Sequence, residues 1–318
     1  MPDDICSVTK RDKPPLPSRA AVVNSALRDG ANLLRVRQWP KNALVFAPLI
    51  LSPGAGSIAL IDSIVLYFGF CFLASSVYII NDIADAESDR AHPKKKYRPI
   101  ASGAISPTIA LRMMASLLLL AIMLGALLPI SAGFMMISYL LLNILYSFYL
   151  KKIPIIEIFC VAAGFVVRVF VGTEVVGLAV SHELMAFVFF FCAFISVGKR
   201  RQEIILSQAA DPNAKHRVVL QHYNLAFLDS LLSATVISSG IFFWLHVIDL
   251  IRSSTGSAAL FTCLSALSVT ALIFRYLQGI YVESTGDNPV DFFIRDPFTL
   301  LSGLTAAAFY WLSISPFV

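Results

Sequence analysis

The chain has 318 residues, of which 57% are hydrophobic and 14% charged, with a mean hydropathy of +0.75 and a formal net charge of +5. This balance excludes a soluble globular domain and predicts an integral membrane protein. The modest positive charge suits cytoplasmic loops of such a protein, and the chain carries no motif for binding nucleic acid.

Residues 1–30 hold Pro14, Pro15 and Pro17 among mixed charges, and predict a disordered polar tail leading into a surface helix around Ala20 to Arg37. No cleavable signal peptide is expected. Apolar runs follow near 32–52, 58–82, 107–128, 132–150, 155–178, 183–204, 224–251, 256–281 and 297–316, which predicts about nine transmembrane helices in one catalytic domain over 31–318. The fold class expected is therefore an all-α integral membrane bundle. Pro48, Pro53 and Gly54 interrupt the first run. With the N-terminus inside and the C-terminus outside, all Lys and Arg residues except Arg168 and Arg252 fall on the cytoplasmic side, as the positive-inside rule requires. The outer connections are short, whereas the inner loops after the second and sixth runs are long and charged, so function is expected at the cytoplasmic face of the plasma membrane.

The second run ends abruptly in Asn81-Asp82-Ile83-Ala84-Asp85-Ala86-Glu87-Ser88-Asp89-Arg90. On a continuing helix Asn81, Asp85 and Asp89 share a face, with Asp82 beside them. No lysine on that helix face balances these acids, so a divalent cation is expected to relieve their repulsion. Oxygen ligands favour a hard ion, Mg²⁺, which usually bridges to substrate phosphates.

Basic and polar groups frame the cluster. His92 to Gly103 contains Lys94, Lys96, Tyr97 and Arg98, either as an ordinary inner loop or as a flap over an anion. Gly198-Lys199-Arg200-Arg201-Gln202-Glu203 ends the sixth run, where topology alone favours cations and a phosphate clamp is the sharper reading. Near the first run, Trp39 and Lys41 are interface anchors or site residues, and Asn42 needs a partner inside the span. Arg168 lies midway along an apolar run that begins with Glu157, and requires a counter-charge or a wet cavity. Tyr146 sits near an inner helix end. Glu283, Asp287, Asp291, Arg295 and Asp296 are candidates for a lid or for a solvated loop. The five cysteines are scattered without metal-ligand spacing and read as small buried hydrophobes.

A span ending in Asn81-Asp82-x-x-Asp85-x-x-x-Asp89 within about nine helices resembles the UbiA-type intramembrane prenyltransferase superfamily. In that superfamily the first acidic motif holds Mg²⁺ on a diphosphate and a second acidic motif lies near the sixth helix, where this chain has Lys199-Arg200-Arg201 instead. That departure, together with Arg37-Gln38-Trp39-x-Lys41-Asn42, Asp89-Arg90-Ala91-His92-Pro93 and Arg98-Pro99-Ile100-Ala101-x-Gly103, resembles the decaprenyl-phosphate phosphoribosyltransferase branch. The resemblance implies transfer of phosphoribose from 5-phosphoribosyl 1-diphosphate to a polyprenyl phosphate, releasing pyrophosphate, with the product supplying lipid-linked arabinose for the cell envelope. It implies Asp82, Asp85, Asp89 and Glu157 as catalytic carboxylates and Asn81, Asp82, Asp85 and Asp89 around Mg²⁺. Lys41, Asn42, Lys94, Lys96, Tyr97, Arg98, Tyr146, Arg168, Lys199 and Arg200 are then the substrate-binding set. The competing expectations are prenylation of an aromatic acceptor, as in quinone synthesis, and a transporter or channel; a homo-oligomer is left open.

Overall fold

Inside a bilayer every backbone N–H and C=O must find a partner within the protein, and a helix supplies those partners locally. The computed structural model of the chain describes residues 27–52, 56–91, 95–179, 181–209, 218–254, 256–283 and 289–314, and among these residues it contains helices and no strand. The expected tail and the start of the surface helix lie outside the described residues. Helix α1 covers 27–33, followed by a 3₁₀ segment, Val36–Phe46, and α2, Ala47–Ile50. Next come α3 (Ser57–Ala84), α4 (Ala86–Arg90), α5 (Pro107–Gly125), α6 (Ile130–Phe148) and α7 (Ile156–Val176). The second half holds α8 (His182–Ala209), α9 (Leu225–Ser253), α10 (Ser257–Val282), α11 (Pro289–Arg295) and α12 (Pro297–Ser313).

Seven of the described helices, α3 and α5 to α10, are long and apolar enough to cross a membrane. The other two expected spans take a different form. The last is a 17-residue helix, α12. The first is a 3₁₀ segment with Pro40 inside it, continued by the four-residue α2 with Pro48 near its start. Proline removes an N–H and clashes with the preceding turn, so a regular α-helix does not run through this stretch.

The 3₁₀ geometry has a use. Its three-residue repeat aligns Trp39, Asn42 and Val45 on one face. Trp39 Nε1 donates to Ser75 Oγ (3.2 Å) and Asn42 Nδ2 to Cys71 Sγ (3.3 Å), while Val45 is fully buried. Ser75 and Cys71 stand one turn apart on α3. The segment is thereby pinned along α3 and also lies against α7, where Gly172 lets the Val45 carbonyl and the Pro48 ring come close.

Chain neighbours then pack side by side: α3 on α5, α6 on α7, α7 on α8, α8 on α9, α9 on α10, and α10 on α12. The Tyr310 hydroxyl of α12 donates to the Leu51 carbonyl just after α2 (3.1 Å), which joins the last helix to the first segment. Helix α7 is the hub. Its Ile158 and Ala162 enter one core with Phe194, Leu232 and Tyr276, and its Val171 and Val175 enter another with Val45, Phe70 and Tyr139. At the α10–α12 junction Arg275 donates to both Asp296 and Glu283, and its guanidinium holds the Asp296 carboxyl down at about 2. Of the expected lid, Asp296 therefore ties α12 to α10 and Glu283 closes the end of α10, and Asp287 lies outside the described residues.

Gly172→Ala should lower the unfolding midpoint in detergent by an amount typical of overpacking, about 1–3 kcal/mol, because its Cβ would meet the Val45 backbone oxygen and Pro48. Gly240→Ala, where an added Cβ meets nothing within 4 Å, should unfold no earlier than the parent.

Candidate active site

The acidic cluster survives a break in its helix. Helix α3 stops at Ala84, yet Asp85 N–H still donates to the Asn81 carbonyl (2.9 Å) and Asp89 N–H to the Asp85 carbonyl (2.8 Å), so the four-residue spacing passes into α4. Asp82 and Asp89 are buried, and Asn81 and Asp85 half-buried.

Cations from other parts of the chain balance these acids. Arg35 Nη2 lies 2.5 Å from Asp82 Oδ1, and Arg98 Nη1 bridges Asp82 Oδ1 (3.1 Å) and Asp89 Oδ2 (2.7 Å). Lys151 Nζ reaches both oxygens of Asp85, at 2.9 and 3.0 Å. These cations arrive from the α1–3₁₀ junction, the 95–98 turn and the α6–α7 connection, where no helix-face analysis of α3 could find them. Arg35 adopts a left-handed backbone (φ 50°) and its guanidinium lies 4.6 Å from the centre of the Tyr78 ring. Among the described residues no group of three or more His, Cys, Asp and Glu side chains is gathered as a metal cage. The donor chemistry nevertheless fits a hard divalent ion, since the set is oxygen only and Asp82 and Asp89 each use one oxygen in these pairs.

A second carboxylate–cation unit lies on α7 and α8. Glu157 is fully buried, and Arg200 grips it at two points, Nε to Oε1 (2.6 Å) and Nη2 to Oε2 (2.7 Å), while Nη1 donates to Glu203 (2.7 Å). Two site expectations change here. Arg200 is taken up by Glu157 and Glu203 instead of standing open to a phosphate, and Glu157, expected among the catalytic carboxylates, is a buried tie between α7 and α8. Arg201 likewise turns to Asp229 (2.6 Å). Lys199 of this patch is exposed. It shares its field with half-buried Lys41, which also lies near Arg168 and Arg35.

Arg168 forms the floor, about 16 Å along α7 from Glu157 at 1.5 Å per residue. The expected counter-charge is replaced by neutral acceptors: Asn42 Oδ1 (2.8 Å), the Gly164 carbonyl (2.8 Å) and the Tyr139 hydroxyl (2.7 Å). The Tyr139 ring adds a cation–π contact at 4.7 Å. Asn42 thus finds its partner.

From the inner loop Arg98 turns in. Lys96 and Tyr97 are exposed, with the Lys96 ammonium 5.2 Å from the Tyr97 ring centre, and Lys94 lies outside the described residues. Tyr146 is half-buried and within electrostatic reach of Arg200. Sequence reasoning missed Arg35, Lys151 and Tyr139 as site members. Arg35 is the first residue of the stretch Arg35 to Asn42 that leads into the first run, and Lys151 was accounted for by topology. Around Asp82, Asp85 and Asp89 the structure therefore gathers Arg35, Arg98 and Lys151, and Arg35 in turn shares its field with Lys41.

Residues 43–202, from the 3₁₀ segment through Lys199 and Arg200, match the model of the UbiA prenyltransferase family. The chain belongs to the UbiA prenyltransferase family. This UbiA family member is 33% identical over 82% of its length to the decaprenyl-phosphate phosphoribosyltransferase of Corynebacterium glutamicum, covering 79% of that protein. It is 28% identical to the enzyme of the same name from Mycobacterium tuberculosis, with 83% and 86% of the two chains covered. Among solved structures it resembles a UbiA homolog from Archaeoglobus fulgidus bound to GPP and Mg²⁺, with a TM-score of 0.66, 18% identity, and 90% and 99% of the two chains covered. The expected UbiA-like helical bundle is therefore the fold observed, and the protein is a multi-pass membrane protein.

Removing one member of a buried ion pair leaves a bare charge in a low-dielectric interior, at a cost of about 3–5 kcal/mol. Glu157→Ala should destabilise the protein by that order, and adding Arg200→Leu should recover much of it. Denaturant unfolding of the two variants in detergent checks the pair's structural role.

Proposed function

We propose that this UbiA family member transfers a 5-phosphoribosyl group from 5-phosphoribosyl 1-diphosphate to a polyprenyl phosphate and releases pyrophosphate, at the cytoplasmic face of the plasma membrane. The observation that carries the reading is the charge of the site. The sixth spanning segment ends in Lys199-Arg200-Arg201 where the superfamily pattern calls for a second acidic motif, while Arg35, Arg98 and Lys151 already match Asp82, Asp89 and Asp85 one for one. A donor with phosphate at both ends, joined by an acceptor phosphate, suits that basic segment better than a prenyl diphosphate does. The two named relatives and the crowding of Lys and Arg at this end of the bundle support the same reading.

The chemistry asks for placement and charge compensation. Asp82, Asp85 and Asp89, with Asn81 beside them, would hold Mg²⁺, which neutralises charge on departing pyrophosphate when bound. Breaking the anomeric bond gives the ribose oxocarbenium character, and the same carboxylates stabilise that developing positive charge. Lys199 and Lys41 present ammonium groups to phosphate oxygens. Arg98 and Lys151, which neutralise the acids here, sit where they can turn to the donor's phosphates. The acceptor needs no strong base, because a phosphate monoester with a second pKa of about 6 is already anionic near neutral pH. Holding the two substrates in line supplies the remaining rate. The acceptor's isoprenoid tail lies among the apolar helices, which gives the reaction its place in the membrane.

The direct test is pyrophosphate release by purified protein with Mg²⁺, 5-phosphoribosyl 1-diphosphate and decaprenyl phosphate, with mass analysis of the lipid. A lipid heavier by one phosphoribosyl unit is the expected product. Prenylation of an aromatic acid from a prenyl diphosphate, with no phosphoribosyl transfer, would overturn the reading. In that assay Asp82→Asn and Asp85→Asn should abolish turnover while the protein stays folded, and Lys199→Ala should raise the donor KM about tenfold, the weight of one charged hydrogen bond.

A further inference from the structure

Among the described residues, two that are not glycine have a positive φ, and both adjoin the candidate site. Arg35 (φ 50°) delivers its guanidinium to Asp82. Ile155 (φ 67°, ψ −49°) is the less expected of the two, since a β-branched side chain is poorly tolerated in that region. Its setting is a three-residue turn in which Ile156 N–H donates to the Pro154 carbonyl at 2.7 Å. This is a γ-turn of the strained, positive-φ kind. Such strain persists only when neighbouring contacts over-determine it, and it concentrates at functional sites.

One contact does so here. The Ile155 N–H stands at the start of α7, where helix donors lack intrahelical acceptors, and it donates to the Tyr223 hydroxyl at 2.7 Å. Tyr223 comes from the connection before α9, far away in sequence. Its ring is buried in the α7–α10 core and stacked on Phe227, with planes 10° apart. The phenol is thus a fixed acceptor. The turn it holds has a site residue on each side. Four residues before Ile155, Lys151 reaches Asp85; two residues after it, Glu157 receives Arg200.

We propose that Tyr223 is a positioning residue: by accepting the Ile155 N–H it holds a strained turn that sets Lys151 against the acidic cluster and Glu157 beneath the basic end of α8. The turn fixes the spacing between the diphosphate side of the site and its α8 side. The kinetic part of the inference rests on the phosphoribosyl-transfer reading, and the conformational part does not.

The test pairs Tyr223→Phe with Ile155→Gly. Glycine adopts the turn without steric cost, so it should keep the turn even when the phenol is gone. Tyr223→Phe should speed hydrogen–deuterium exchange over 150–157 at least fivefold and raise the KM for 5-phosphoribosyl 1-diphosphate about tenfold, with the acceptor KM unchanged. Adding Ile155→Gly should restore both. Parent-like exchange in Tyr223→Phe, or a defect that Ile155→Gly does not repair, would overturn the proposal. If Tyr223→Phe does not fold, Ile155→Gly alone decides: relief of strain predicts a higher unfolding temperature than the parent's, and a lower one contradicts it. If the parent protein transfers no phosphoribose, the functional reading fails while the exchange measurement still decides the role of Tyr223.

Discussion

Three carboxylates at the end of an apolar helix cannot stay ionised beside one another without compensation, and the rest of the site is arranged around meeting that demand. Arg35 and Arg98 share one oxygen of buried Asp82, Arg98 also holds Asp89, and Lys151 holds Asp85. Each cation requires a special backbone to reach its place: a left-handed residue at Arg35, a tight turn over 95–98, and the strained connection ahead of α7. The irregular first segment follows from the same demand. A straight helix could not present Trp39, Asn42 and Val45 together to α3, nor let the chain turn Arg35 inward just before them.

Helix α7 transmits this arrangement through the bundle. Its start carries Glu157 to Arg200 on α8, and its middle carries Arg168 to Asn42 and Tyr139. Both apolar cores rest on it. The polar groups of the site are therefore held by the same helix that holds the fold, so a change in the packing of α7 reaches the acids through Lys151 and the floor through Arg168.

The helical bundle, its membrane setting and the acidic edge were legible because they are local: long apolar runs, their spacing, and charge placed where the hydrophobic run ends. Asn42 and Arg168 were legible as polar groups needing partners, though not as each other's partner. What escaped was pairing across large sequence separations. Nothing near Asp85 announces Lys151, and nothing near Glu157 announces that Arg200 will be consumed by it. A basic cluster seen as one clamp resolves into three settings: Arg200 in a buried pair, Arg201 on Asp229, and Lys199 exposed. The first span misled in form because two prolines act on backbone geometry, which hydropathy does not register.

The central claim is that the basic segment Lys199-Arg200-Arg201, in place of a second acidic motif, selects a sugar donor phosphorylated at both ends over a prenyl diphosphate. Titration calorimetry of the purified protein with Mg²⁺ and each donor in turn measures that preference without depending on turnover. The account predicts that 5-phosphoribosyl 1-diphosphate binds more tightly than geranyl diphosphate, with an advantage that shrinks as salt screens the charges. Tighter binding of geranyl diphosphate at every salt concentration would contradict it.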